Sequence, residues 1–293
     1  MDFTAHGIVV SPHGPKEQRV ACPGCNRGSH DLALGVNIET GTFHCFRCNW
    51  KGRAGSVSDA PHLIVQFDDP AVAERKRERL RATWSETVAL SHPKARAVRT
   101  YFLARALGEI LKGPPAALRA HPLLEYWDGC TLIGRYPAMV ALFRGASGDP
   151  VTLHCTYLRH DGCAKAGVPS PKKILGVPVK GATKGGAIHL FEPNRGVLGL
   201  CEGIESALSM HLIQRVPVWA SFCADNLERI RLPTGLRELQ IGIDIDESGK
   251  GEAVAKALAQ RVMKWSPRTR VIYVKPELAG SGDLNDELRR RAQ

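Results

Sequence analysis

Two Cys-x2-Cys pairs, Cys22/Cys25 and Cys45/Cys48, separated by nineteen residues, constrain this chain more than any other feature. Each pair sits on a turn tight enough to point two thiolates at one ion. Two such knuckles complete a closed tetrahedral sphere of the structural zinc type. Between them, DLALGVNIETGTFHCF alternates apolar and polar residues about Thr40-Gly41, which predicts a β-hairpin. Pro23 and Gly24 suit the first knuckle. The expected product is a zinc ribbon over residues 1–52, a unit so small that it needs the metal to fold. His30 and His44 are competing donors that two complete cysteine pairs make unnecessary. Phe43, Phe46 and Trp50 read either as the ribbon's minimal core or as a surface on which bases stack.

The other five of the nine cysteines, Cys130, Cys155, Cys163, Cys201 and Cys223, show no paired spacing and read as buried or incidental thiols. Cysteines used in this way fit a reducing, cytoplasmic setting. The first residues lack a basic start followed by an apolar core and cleavage site, which argues against secretion. No run of 18 apolar residues occurs, so no membrane span is expected.

The net charge of +11 points to a polyanionic partner. It is unevenly placed. After residue 190 there are 15 basic against 14 acidic residues; before it there are 25 against 15. A basic region thus precedes a nearly neutral, acid-bearing third, as in an enzyme that grips a phosphate backbone with one part and acts on it with another.

Residues 53–92 read as a linker (Gly, Ser, Pro and charge over 51–70) followed by a basic helix. Its run ERKRERLR reads first as a solvated helix face. A second helix is expected from Lys94 to Leu107, ending at Gly108. YPAMVALF (136–143) and PVTLHCTYLR (150–159) predict a hairpin about Gly145–Asp149. Residues 161–191 carry five lysines and one acid, a loop able to present ammonium groups to phosphates. Residues 93–194 are therefore expected to form a basic α+β segment. From residue 197, in an expected domain of 195–293, a β/α rhythm begins: strands VLGLC, VPVWASF, ELQIGIDID and TRVIYVK, with helices IESALSMHLIQR and KGEAVAKALAQRVMKW. In the latter, Ala253, Val254, Ala257, Leu258, Val262 and Trp265 mark the apolar face. Such alternation implies a parallel α/β sheet covered by helices.

In parallel sheets, active residues collect where strands end. Glu202 follows VLGLC, and Asp244 and Asp246 close LQIGI. Residues two apart on a strand face one side. Three carboxylates gathered there repel one another unless a hard cation, Mg²⁺ or Mn²⁺, holds them. Asp283, Asn285 and Asp286, in SGDLNDEL, come within reach of the same edge.

The motifs LCEGIESALS, IGIDIDESGKG and GDLNDEL resemble the Toprim domain, the metal-binding catalytic module of bacterial-type primases, topoisomerases and some nucleases. Joined to the CPGC…CFRC ribbon, their order resembles the DNA primases of phages, plasmids and integrated elements. YFLARALG, HCTYLRHDGCAKA and KKILG resemble the intervening primase segment. The resemblance implies that Glu202 is the acid/base or metal-organising carboxylate and that Asp244 and Asp246 bind Mg²⁺. Asp283 would be a further metal-site acid. Arg159, Lys165, Lys172 and Lys173 would contact nucleoside triphosphate or template. One departure is that the better-known primases carry an Asp four residues after the motif Glu, where this chain has Ser206. Either Glu205 stands in or the site works with fewer acids.

The resemblance implies template-directed synthesis of short RNA primers on single-stranded DNA. The partners would be the template, nucleoside triphosphates and a separate replicative helicase, since no GxxxxGK[ST] motif occurs. Two other readings remain: a Toprim nuclease or topoisomerase-like enzyme using the same acids, and a non-catalytic zinc-containing DNA-binding accessory.

Overall fold

A computed structural model describes residues 3–25, 32–48, 50–54, 70–128, 131–277 and 280–293. His30, Cys130 and residues 55–69 of the expected linker lie outside the described residues. The chain divides into two compact units, Met1–Phe67 and Asp68–Gln293.

In the first unit, β1 (Glu17–Val20), β2 (Leu34–Asn37), β3 (Thr42–Cys45) and β4 (Lys51–Arg53) form one antiparallel sheet in sequence order. The expected hairpin is β2–β3, in register from Leu34 opposite Cys45 to Asn37 opposite Thr42, with Gly41 at φ +71° in its turn. Positive φ at that corner favours glycine. Phe3, Ile8, Leu34, Val36 and Phe43 are buried together with the cysteines, and Trp50 packs against them.

The second unit opens with α1 (Pro70–Ser85) and α2 (Arg96–Ala104). On α1, Glu74 pairs with Arg77 at 3.0 Å and Arg81 at 2.8 Å. The charged run is therefore a solvated, ion-paired face, while Leu80 and Trp84 pack inward. Next, β5 (Leu118–Asp128), β6 (Thr131–Arg144), β7 (Pro150–Tyr157) and β8 (Lys172–Ile174) form an antiparallel meander. The expected hairpin is β6–β7. One face of this sheet, carrying Ala138, Val140, Cys155 and Tyr157, packs against α1. The other, carrying Met139, Ala141 and Phe143, joins Tyr101 and Phe102 of α2 in a larger core.

That core continues into the C-terminal sheet. β9 (Ile188–His189) lies antiparallel at its edge, and β10 (Val197–Cys201), α3 (Ile204–Gln214), β11 (Val218–Ala220), α4 (Ala224–Arg229), β12 (Glu238–Gly242), α5 (Lys250–Trp265), β13 (Arg270–Val274) and α6 (Leu284–Arg291) follow. The strand order is β13-β12-β10-β11-β9, with the first four mutually parallel. α3 is buried over seven consecutive residues, Ile204–Met210, because it is covered on both sides: the sheet lies on one and α2 with the meander on the other. α5 packs on the opposite face of the sheet through Val254, Ala255, Leu258, Ala259 and Val262. This corrects the expected apolar stripe, because Ala253 and Trp265 are exposed and Ala255 and Ala259 take their places. Helical spacing cannot separate these rotations when small alanines lie on both sides of the seam.

Candidate active site

In the ribbon, Cys22 Sγ lies 3.7 Å from Cys48 Sγ, and Cys25 Sγ lies 3.6 Å from Cys45 Sγ. All four sulfurs fall within 4.8 Å of one another. A tetrahedral ion with Zn–S bonds of about 2.3 Å spaces its sulfurs about 3.8 Å apart, so the quartet matches zinc. The knuckle turn donates the Cys48 N–H to Cys45 Sγ at 3.5 Å. Burial raises the Cys45 thiol, but the N–H groups of Cys48 and Arg47 outweigh it and hold the pKa at about 7. Those donors favour the thiolate that a metal requires. Phe43 and Trp50, with ring centroids 4.6 Å apart, form the core, whereas Phe46 is 63% exposed. The Arg19 guanidinium lies 4.1 Å from the centre of the Phe46 ring.

In the second unit, Glu202 emerges just after β10 and Asp244 and Asp246 just after β12, at the C-terminal edge of the parallel sheet. All three line one cleft of about 290 Å³, joined by Asp225 and Lys250. Asp225 and Lys250 pair at 3.0 Å. Gly251 makes the cleft wall close: a Cβ there would stand 2.5 Å from the Asp244 carbonyl oxygen. Asp283 reaches the same corner because Ile245 and Gly282 exchange backbone hydrogen bonds of 2.9 Å. It caps α6 through Oδ1, accepting the Asn285 N–H at 2.7 Å and the Asp286 N–H at 3.0 Å. Asn285 itself is buried and structural, donating to the Arg105 carbonyl at 2.9 Å and Ser209 Oγ at 3.0 Å.

The electrostatics show the cost of this gathering. Burial, then Asp283 and Glu202, push Asp244 up to about 7, against the opposing pull of Lys172 and the nearby Ser206 hydroxyl. Burial also raises Glu202, with Lys172 and Lys250 opposing it. Asp246 is exposed and is held low, first by the Ser248 hydroxyl. A hard divalent cation would relieve the repulsion, and the donor set of carboxylate oxygens suits Mg²⁺ or Mn²⁺. Among the described residues only the four thiols are found as a ready group of three or more Cys, His, Asp or Glu ligands that could hold an ion.

The Ser206 departure has a structural answer. Ser206 is buried beside Asp244 and favours its ionised form. Glu205 does not stand in for an acid at this cleft. It is buried, accepts the Tyr101 hydroxyl at 2.8 Å, and lies 3.6 Å from Lys165 Nζ and 3.5 Å from Lys172 Nζ. Burial would raise it, but the two lysines and Tyr101 hold it at about 2. Lys172 also acts on Glu202 and Asp244, so it faces the cleft. Lys173, next on β8, points the other way: it donates to the Trp127 carbonyl and lies over the Tyr126 ring. Arg159 is exposed and pairs with Asp161 at 2.8 Å. Sequence reasoning missed Asp225 and Lys250. Asp225 lies in the first turn of α4, the helix after β11, and Lys250 opens the helix after Asp-x-Asp, so extending the strand-end rule to the helix starts beyond would have found both.

This edge is that of a Toprim domain. Residues 197–293 match the family model described as the Toprim domain, and residues 74–185 match a domain of unknown function (DUF7146). The primase fragment of the bacteriophage T7 primase-helicase protein is similar in structure at 15% identity and a TM-score of 0.41, covering 94% of this chain and 95% of that one. A DNA primase domain from Pseudomonas aeruginosa is similar at 16% identity and 0.44, covering 75% and 74%. The zinc-binding and RNA polymerase domains of the Aquifex aeolicus primase are similar at 14% identity and 0.41, covering 94% and 76%. No curated protein matches the sequence.

Proposed function

We propose that this chain is a DNA primase, a DNA-directed RNA polymerase that builds short RNA primers on single-stranded template. One observation carries the reading: a Toprim carboxylate edge shares a chain with a four-thiolate ribbon, and nearly all the excess positive charge precedes that edge. We divide the work among residues 1–52, 93–194 and 195–293: template selection, grip on strand and triphosphate, and chemistry. Residues 53–92 join the first two. Asp244, Asp246 and Asp283, with Glu202, would hold the Mg²⁺ or Mn²⁺, which when bound stabilises charge on the transferred phosphoryl group. Glu202, with its proton affinity raised by burial, accepts the proton of the primer 3′-hydroxyl.

Lys172 faces the incoming triphosphate, and Glu205 anchors it together with Lys165. Arg159 and Lys173 contact the template. The ribbon zinc is structural. A separate helicase supplies the opened strand. Among the described residues no helix is long and apolar enough to cross a membrane.

The test is incubation with single-stranded DNA, four ribonucleotides and Mg²⁺. Short RNA complementary to the template supports the reading. Shortened DNA reassigns the acids to a nuclease, and a mobility shift without either product reduces the chain to a binder.

A further inference from the structure

The parallel sheet has a second edge, and the molecule is built differently there. α5 starts at the carboxylate cleft, where Lys250 pairs with Asp225. It ends at Trp265, fifteen residues on, about 22 Å away at about 1.5 Å per residue. At that far end lies a cavity of about 600 Å³, lined by Lys184, Arg229, Arg231, Arg261, Trp265 and Leu232. The volume falls in the range of small-molecule sites, roughly 300–1,000 Å³.

Four cations and no acid line this cavity. Lys184, Arg229 and Arg231 have no ion-pair partner among the described residues. Arg261 spends one donor on the Ile230 carbonyl at 2.5 Å, and burial lowers its pKa against the pull of Glu228. The C-terminal end of α5 contributes about half a negative charge, which four cations outweigh. Unpaired guanidinium groups converging on one cavity suit phosphate oxygens, which they bind with two parallel hydrogen bonds.

Trp265 supplies the other half of a ligand. The residue is 54% exposed and plays no part in the α5 seam. No ring or cation covers it among the described residues. An uncovered indole beside phosphate-binding groups suits a nucleobase. A single aromatic in a concave site favours one base over a strand, which uses successive stacking platforms.

The cavity wall is also pre-set. Buried Asn226 donates from Nδ2 to the Gly186 carbonyl at 2.7 Å and to the Ser221 carbonyl at 3.1 Å, and accepts the Gly185 N–H at 2.9 Å. The Gly185 carbonyl in turn accepts the Arg231 N–H at 2.7 Å. The turn bearing Lys184 and the segment bearing Arg229 and Arg231 are therefore tied through one side chain, which limits the ordering cost of binding.

We propose that this cavity is a second nucleotide site, taking a free nucleoside di- or triphosphate with its phosphates on Lys184, Arg229 and Arg231 and its base on Trp265. The site lies at the opposite end of α5 from the carboxylates and takes no part in their chemistry. It stands whether or not the chain synthesises primers.

The test is equilibrium dialysis of the full chain with labelled ATP and no added divalent cation. Saturable binding is expected, weakened about tenfold or more by Arg231→Glu or Arg229→Glu, since each removes charge-assisted hydrogen bonds. Both side chains are exposed, so two independent variants guard against misfolding. Trp265→Leu should weaken ATP binding while leaving inorganic triphosphate unaffected. Asp244→Asn should bind as the parent does, which separates this site from the catalytic cleft. Lys256→Glu, on an exposed part of α5 away from the cavity, controls for general attraction to a basic protein.

The proposal is overturned if no saturable binding occurs, if Lys256→Glu weakens binding as much as Arg231→Glu, or if Asp244→Asn abolishes it. Displacement of ATP by oligodeoxythymidylate at lower concentration than by unlabelled ATP would assign the cavity to a DNA strand and equally overturn it.

Discussion

The cysteine quartet and the carboxylate edge assemble their donors by opposite routes. The thiols come from 27 consecutive positions, on two knuckles of one small sheet, and converge within 4.8 Å. The carboxylates come from residues 202 to 283, brought together by the pairing of β10 with β12 and the bridge between Ile245 and Gly282. Burial raises the proton affinity of Asp244 and Glu202, and the neighbouring acids add to the rise. In the ribbon a bound ion would join two knuckles beside a small apolar core. At the Toprim edge a sheet covered on both faces holds the acids in place against their repulsion. A metal would thus support folding in one unit and relieve repulsion in the other.

The largest effect expected is in the ribbon. Cys45→Ser should take the zinc content from about one per chain to none, because structural zinc contributes about 10–16 kcal/mol to folding small units. Metal analysis and limited proteolysis check this. The first unit should become protease-sensitive while the thermal transition of Asp68–Gln293 is unchanged, and a retained zinc ion would mean the ligand set is wrong.

Asp244→Asn should do the reverse. Primer synthesis should fall about a hundredfold or more, a barrier increase of about 3 kcal/mol, while template binding persists. The folded-state pKa of Asp244, about 7, lies above its ordinary value, so its ionisation destabilises the metal-free fold as pH rises. The variant should therefore be more stable than the parent by roughly 1–3 kcal/mol at pH 8 and no more stable at pH 4. Denaturant melts at the two pH values read this directly, and a destabilised variant at pH 8 would show that the cleft is not under repulsion.

The same contrast decides what the sequence could reveal. The thiol site is local, so spacing alone exposes it. The strand-end acids were legible because β/α alternation puts successive strand ends on one edge, a topological rule that needs no distances. What stayed hidden depends on contacts across the fold. Glu205 and Ser206 are neighbours on α3, and only the packing of α2 and β8 decides which of them faces the acids. β5 was missed because LRAHPLLEYW interrupts its alternation with a bulge between His121 and Leu124. Lys172 and Lys173 read as one loop until pairing with β7 turned one toward the cleft and the other away.

Glu205 offers a smaller test of the second unit. Its pKa of about 2 lies below the ordinary 4.5, so its charge stabilises the fold fully above about pH 4.5. That stabilisation is lost as pH falls toward 2. Glu205→Gln keeps a partner for Tyr101 but leaves Lys165 and Lys172 unpaired, which should cost roughly 3 kcal/mol at neutral pH. Burial and Lys172 already press Lys165 down despite Glu205, and this cost offsets part of the gain. The difference between variant and parent should close between pH 4.5 and 2. A constant difference across that window would assign the loss to packing rather than charge.

The smallest effect returns to the ribbon and separates its two exposed roles, folding and contact. Phe43 is 3% exposed and Phe46 63%. Phe46→Ala should leave zinc content intact and change the stability of the first unit by no more than about 0.5 kcal/mol. If Phe46 stacks on a template base, its loss should weaken binding of single-stranded DNA by about 1 kcal/mol, near the low end for base–aromatic stacking. The low end follows from Arg19, which already covers the ring at 4.1 Å and must be displaced, so part of the stacking gain replaces an existing cation–π contact. Fluorescence titration of a labelled oligonucleotide at moderate salt resolves about a fivefold change. Unchanged affinity would leave Phe46 as a platform for Arg19 alone and move template contact to the ribbon's cations.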